Sequence, residues 1–159
     1  MKPGSGRLRR ARPGDISGAT ELWIEVTAHH ADIDPLFTLR EDADAEIGRL
    51  LASQIRDPDT AIFVWETDGE LLGFCSVRVD LARPILEETR RAEITDLGVR
   101  ASARRRGIGR ALAEAALDWV REREIDRVEV RVVTGNREGQ AFWRSLGFGD
   151  LMDVLQRRL

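Results

Sequence analysis

The chain has no tyrosine and a single cysteine, Cys75, among its 159 residues. Without tyrosine there is no phenol to give or take a proton. One cysteine excludes an intrachain disulfide framework and any zinc cluster built on cysteines, and a reducing cytoplasmic address is expected. Lysine is nearly absent as well: of 25 basic residues only Lys2 is not arginine. That bias reads as genome-level composition, not function. No apolar run approaches the roughly 18–20 residues that span a bilayer, so no membrane association is expected. The first fifteen residues lack the apolar core of a secretory signal. The formal charge of −3 gives no general attraction to nucleic acid.

A chain of 17.9 kDa with 42% hydrophobic and 33% charged residues fits one compact domain, expected over residues 7–159 behind a disordered tail at 1–6. Charge is unevenly placed. Between Gly14 and Glu70 stand 14 acids against Arg40, Arg49 and Arg56, a net of −11. Between Val99 and Leu112 stand five arginines and no acid. One region can therefore hold phosphate while another attracts cations, although solvated helix faces account for an acidic half equally well.

The pattern predicts strands at Leu8–Arg12, Thr60–Glu66, Leu71–Val79, Ala92–Val99, Val128–Val133 and Leu151–Leu159. Helices are expected after an N-cap at Asp15, over Glu41–Ile55, over Ile108–Glu124 and over Glu138–Leu146. His29–Leu39, with Asp34-Pro35, reads as a loop, and so does Leu81–Thr89. Thr67-Asp68-Gly69-Glu70 is a hairpin signal. The fold class is α/β: a mixed, mostly antiparallel sheet of about 6–7 strands with helices on both faces.

The most specific segment runs from Ala92 to Val120, where a strand enters a basic turn and Gly107-Ile108-Gly109 opens a long helix. Unpartnered N–H groups at a helix start bind anions, glycines let an anion approach the backbone, and Arg104, Arg105, Arg106 and Arg110 add charge. Leu112 stands where a dinucleotide fingerprint needs its third glycine, and no Gly-Lys pair exists for a P-loop. Arg104-x-x-Gly107-x-Gly109 after Leu97-Gly98-Val99 resembles the acyl-coenzyme A signature of the GNAT superfamily of N-acetyltransferases. The likeness continues through Asn136, Phe142 and Gly147-Phe148.

The resemblance implies acetyl-coenzyme A as cosubstrate and an amine as acceptor. The turn from Arg105 to Arg110, Ile108 included, would grip the pyrophosphate, and the strand end Leu97, Gly98 and Val99 would pair with the pantetheine arm. Asn136 would bond that arm and Phe142 would pack beside it. An amine with a pKa of about 10 is protonated at neutral pH, so attack on a thioester needs a base. Glu93 and Asp96 are the candidates, on opposite faces unless a bulge resets the phase, with Glu93 preferred. A strand N–H near Leu97 or Val99 would stabilise the developing oxyanion. Trp143 stands where the family usually has the tyrosine that protonates the leaving thiolate. Indole cannot take that role, which leaves Ser145, Cys75 or water to assist, or no acid at all.

The resemblance places the acceptor beside the first helices, where His29, His30, Asp32 and Asp34 form a polar cluster that either contacts the acceptor or is a solvated helix end. No metal is expected, because adjacent histidines share an ion poorly and no metal-binding spacing occurs. The expected activity is acetylation of a primary amine on a small molecule, its charge cationic if the acidic half lies nearby. A protein or peptide N-acetyltransferase and a non-catalytic acyl-coenzyme A sensor are the alternatives. Many members of that superfamily are homodimers, which the resemblance brings as one expected assembly.

Overall fold

The structure is a computed structural model that describes residues 6–159. The expected tail at 1–6 therefore lies outside the described residues except for the exposed Gly6. Five strands form one sheet in sequential order: β1 (Arg7–Arg10), β2 (Thr60–Thr67), β3 (Glu70–Leu81), β4 (Arg90–Val99) and β5 (Val128–Val130). The first four are antiparallel, and β4 and β5 are parallel. The turn between β2 and β3 has positive φ at both Asp68 (51°) and Gly69 (82°), the primed geometry that matches strand twist.

Two helices cover one face and two the other. On the first, α1 (Ile16–Ile33) and α2 (Ala43–Arg56) pack Ala19, Leu22, Ile47 and Leu51 against Ile62, Val64, Leu71 and Phe74. On the second lie α3 (Ile108–Arg121) and α4 (Arg137–Ser145). Ile108, Leu112, Ala116, Trp119 and Val120 recur at helical spacing along α3 and meet Phe63, Trp65, Cys75, Val77 and Ile94. No helix among the described residues is long and apolar enough to cross a membrane.

Three expectations need correction. The segment from His29 is not a loop: α1 runs on to Ile33, and a 3-10 turn covers Pro35–Phe37. Asp34-Pro35 does end the helix, but only at the residue before the proline pair. Leu151–Leu159 forms no strand; Leu151, Met152, Val154, Leu155 and Leu159 stand exposed, so among the described residues the sheet has five strands where 6–7 were expected. Alternating apolar residues make a strand only where a partner edge accepts them. Asp15 sits at the N-cap position without capping. Its carboxylate instead binds Arg9, 2.7 and 2.9 Å away, and the Arg12 N–H, and so ties β1 to the start of α1.

Candidate functional site

The sheet opens at its parallel seam. Strand β5 pairs with β4 only along Ala92, Glu93 and Ile94, so β4 continues from Thr95 to Val99 with no strand neighbour on that side among the described residues. On the β3 side Arg100 N–H donates to Leu72 O at 2.8 Å. Alternation along an antiparallel strand then turns the N–H groups of Leu97 and Val99 toward the open edge. That edge borders a cavity of about 620 Å³, within the range of small-molecule sites.

One end of the cavity is the turn into α3. Arg105 (φ 61°) and Gly107 (φ 82°) both have left-handed backbone, an alternation that gathers successive N–H groups into an anion-binding concavity. The first bond of α3 runs from Ala111 N–H to Gly107 O, which leaves the N–H groups of Ile108, Gly109 and Arg110 free. Arg104, Arg105 and Arg110 line the cavity with Gly107, Ile108 and Gly109, whereas Arg106 does not. A Cβ on Gly109 would meet only ordinary contacts, 3.6 Å from Val99 and 3.7 Å from Phe142. The turn is fastened from behind. Glu25 of α1 accepts from Ala101 N–H at 2.8 Å, and Arg104 Nε donates to Val99 O at 3.2 Å.

The ladder between β3 and β4 shifts register here. Ser76 faces Asp96 and Val77 faces Ile94, so Thr95 is bulged out. The bulge brings Glu93 and Asp96, three residues apart, onto the same face, toward α1. Their environments differ. Glu93 is not among the residues lining the cavity; it is buried and held by Arg78 at 2.8 Å and Arg131 at 3.4 Å. Asp96 lines the cavity, and its carboxyl is pushed above the usual carboxylate range, first by burial and further by the negative charge of Glu93.

Across from Asp96, α1 presents Trp23, Val26, Thr27 and His30, at spacings of three, four and seven residues, with His29 beside them. Asp32 and Asp34 do not line the cavity: Asp32 is exposed, and Asp34 accepts from Leu36 N–H at 2.8 Å. Asn136 and Phe142 line it, and so does Trp143. Trp143 is 7% exposed and packed edge-on between Phe142 and Phe148, at 5.0 and 5.2 Å. Neither residue weighed as a substitute acid lines the cavity. Cys75 is buried and its thiol is pushed up by burial, while Ser145 donates to Phe142 O and accepts from Arg110.

Sequence reasoning missed Thr27, Arg131 and Glu138 as lining residues. Trp23 and Val26 already mark the helical stripe to which Thr27 and His30 belong, so the spacing carried that part of the signal. Nothing local marks Arg131 or Glu138, whose place depends on where β5 stops.

Residues 18–148 match the model of the acetyltransferase (GNAT) family. A mycothiol acetyltransferase of Sanguibacter keddieii is 33% identical over 148 residues, covering 89% of this chain and 42% of that protein. The first curated relatives are thus more than twice as long as the stretch that this chain matches. An aminoglycoside N(6')-acetyltransferase type 1 of Klebsiella aerogenes is 34% identical, covering 87% of this chain and 84% of the relative. Among solved structures, a predicted acetyltransferase from Clostridium acetobutylicum with acetyl-CoA superposes with a TM-score of 0.76 at 17% identity, covering 96% of each chain.

Proposed function

Because this chain belongs to the acetyltransferase (GNAT) family, we propose that it moves the acetyl group of acetyl-coenzyme A directly to the primary amine of a small molecule. The observation that carries this reading is the open β4 edge, which runs from the Arg-lined start of α3 to the carboxyl of Asp96 within one cavity. The residues present fit such a cosubstrate. The Arg105–Arg110 turn offers N–H groups and guanidinium groups to phosphates, and the Val99 N–H on the open edge is offered to an extended amide arm.

Asp96 takes the proton of the attacking amine in this reading, in preference to Glu93, whose carboxylate is already engaged by two arginines. A carboxyl raised toward neutrality accepts a proton more readily than an ordinary one. The Leu97 N–H, next to Asp96 on the open edge, is the donor in this reading for the negative charge that develops on the thioester oxygen. No side chain is assigned to protonate the thiolate; with a thiol pKa of about 8.5, thiolate leaves tolerably without one.

A small-molecule amine accords with the small molecules that two relatives carry in their names, mycothiol and aminoglycoside. None of the 14 acids between Gly14 and Glu70 lines the cavity, so a cationic acceptor would be attracted by Asp96 and Glu138 instead. The test is thiol release from acetyl-coenzyme A with a panel of amines. Release that depends on a small amine supports the reading, and release only with peptides moves the acceptor class to proteins. Trp143 favours one rival, a sensor that binds without turnover; tight binding with no release by any amine would establish it. Absence of binding would sink both.

A further inference from the structure

The geometry points to His30 as a positioning residue that orients the Asn136 amide toward the cosubstrate arm, and not simply as an acceptor contact. This rests on the acetyl-coenzyme A reading above. Asn136 is the N-cap of α4, and its Oδ1 accepts from Gly139 N–H at 2.9 Å. The oxygen is thereby committed, and Nδ2 must point the other way. A Cβ on Gly139 would stand 2.7 Å from Nδ2, so the side chain lies flat against that glycine.

On the facing helix, His30 Nδ1 lies 3.0 Å from Val26 O. A carbonyl only accepts, so the proton sits on Nδ1 and the neutral ring carries its lone pair on Nε2. That Nε2 lies 3.5 Å from Asn136 Nδ2, at the outer limit of hydrogen-bond distance. Phe37 packs against the imidazole with ring centres 5.7 Å apart. Gly139 N–H, Asn136, His30 and Val26 O thus form one directed chain from α4 to α1. An amide nitrogen has two N–H bonds in a fixed plane. One faces His30, which leaves the second for a carbonyl in the cavity that both residues line. The wall that faces the acceptor and the group that holds the arm are therefore one hydrogen-bonded unit.

The test measures binding of acetyl-coenzyme A and of 3′-phosphoadenosine 5′-diphosphate, which lacks the pantetheine arm, by calorimetry. His30→Phe keeps an aromatic ring against Phe37 but removes the acceptor. It should weaken acetyl-coenzyme A about 3- to 10-fold, the loss expected for one neutral hydrogen bond. The armless nucleotide should bind as before. His30→Gln, whose amide oxygen can replace Nε2, should restore most of the affinity. Asn136→Ser keeps a capping hydroxyl without the amide, and in that background His30→Phe should cost nothing further. Equal weakening of both ligands, additive losses, or no loss in His30→Phe would overturn the assignment while the wild type still binds. A wild type that binds neither ligand would instead overturn the acetyl-coenzyme A reading itself.

Discussion

Thr95 has no partner in the β3–β4 ladder, and this one extra residue decides which carboxylates share a face. Without it Glu93 and Asp96 would point to opposite sides of the sheet. With it, Glu93 raises the affinity of Asp96 for its proton across a short stretch of buried strand. Asp96→Asn should lower kcat about 10²- to 10⁴-fold and remove the ascending limb of the pH–rate profile. Glu93→Gln withdraws a negative charge, so Asp96 loses its proton more easily and the limb should move to lower pH. An unchanged limb in both variants would end the assignment. The two glycines of the turn separate in the same way. Gly107 sits at φ 82°, so Gly107→Ala should cost about 1–2 kcal/mol in urea unfolding. Gly109→Ala, inside α3 and meeting no contact under 3.6 Å, should instead stabilise by about 0.4–1 kcal/mol.

Elements with long amphipathic runs were legible, since α3 shows its buried stripe in the letters Ile108, Leu112, Ala116, Trp119 and Val120. The turn before it was legible too, because arginine and glycine there have few structural reasons to cluster. What escaped depended on partners distant in sequence. The Thr95 bulge exists only in register with β3, and the last residues lack a strand because no edge receives them. The polar run His29-His30-Ala31-Asp32 hides the end of α1, whose inward stripe runs on to His30. At the other end of that helix, Arg9 and Glu66 join Asp15 in a partly buried cluster. Arg9 holds the Asp15 carboxyl below the usual carboxylate range, so this pair adds stability that is full above about pH 4 and is lost progressively as the pH falls below it. Asp15→Asn should therefore cost about 1–3 kcal/mol at pH 7, with the difference from wild type smaller at pH 3. Parallel urea titrations at the two pH values would read it.

Over the whole molecule, charge is divided between a basic turn that lines the cavity and an acidic half whose carboxylates do not. Rising salt should weaken acetyl-coenzyme A binding several-fold between about 50 and 500 mM, because exposed Arg105 and Arg110 act through solvent. The acceptor's apparent affinity should respond far less. The exposed C-terminal segment contributes little to the packed core, so truncation after Asp150 should leave the thermal midpoint within about 2 °C of the full chain.

The unpaired edge of β4 carries a further consequence for the company the protein keeps. A bare strand edge at the rim of a sheet invites another polypeptide to zip onto it, the usual beginning of aggregation. Here the bare stretch lies inside the sheet, walled by α1, by the start of α3 and by Val130 to Val132. A protein strand brings side chains on both faces and would jam against those walls. A thin arm with amide groups and almost no branches would slide in. The cleft is therefore a sieve for molecular width: it keeps a reactive backbone edge available to a slender ligand and closed to other chains.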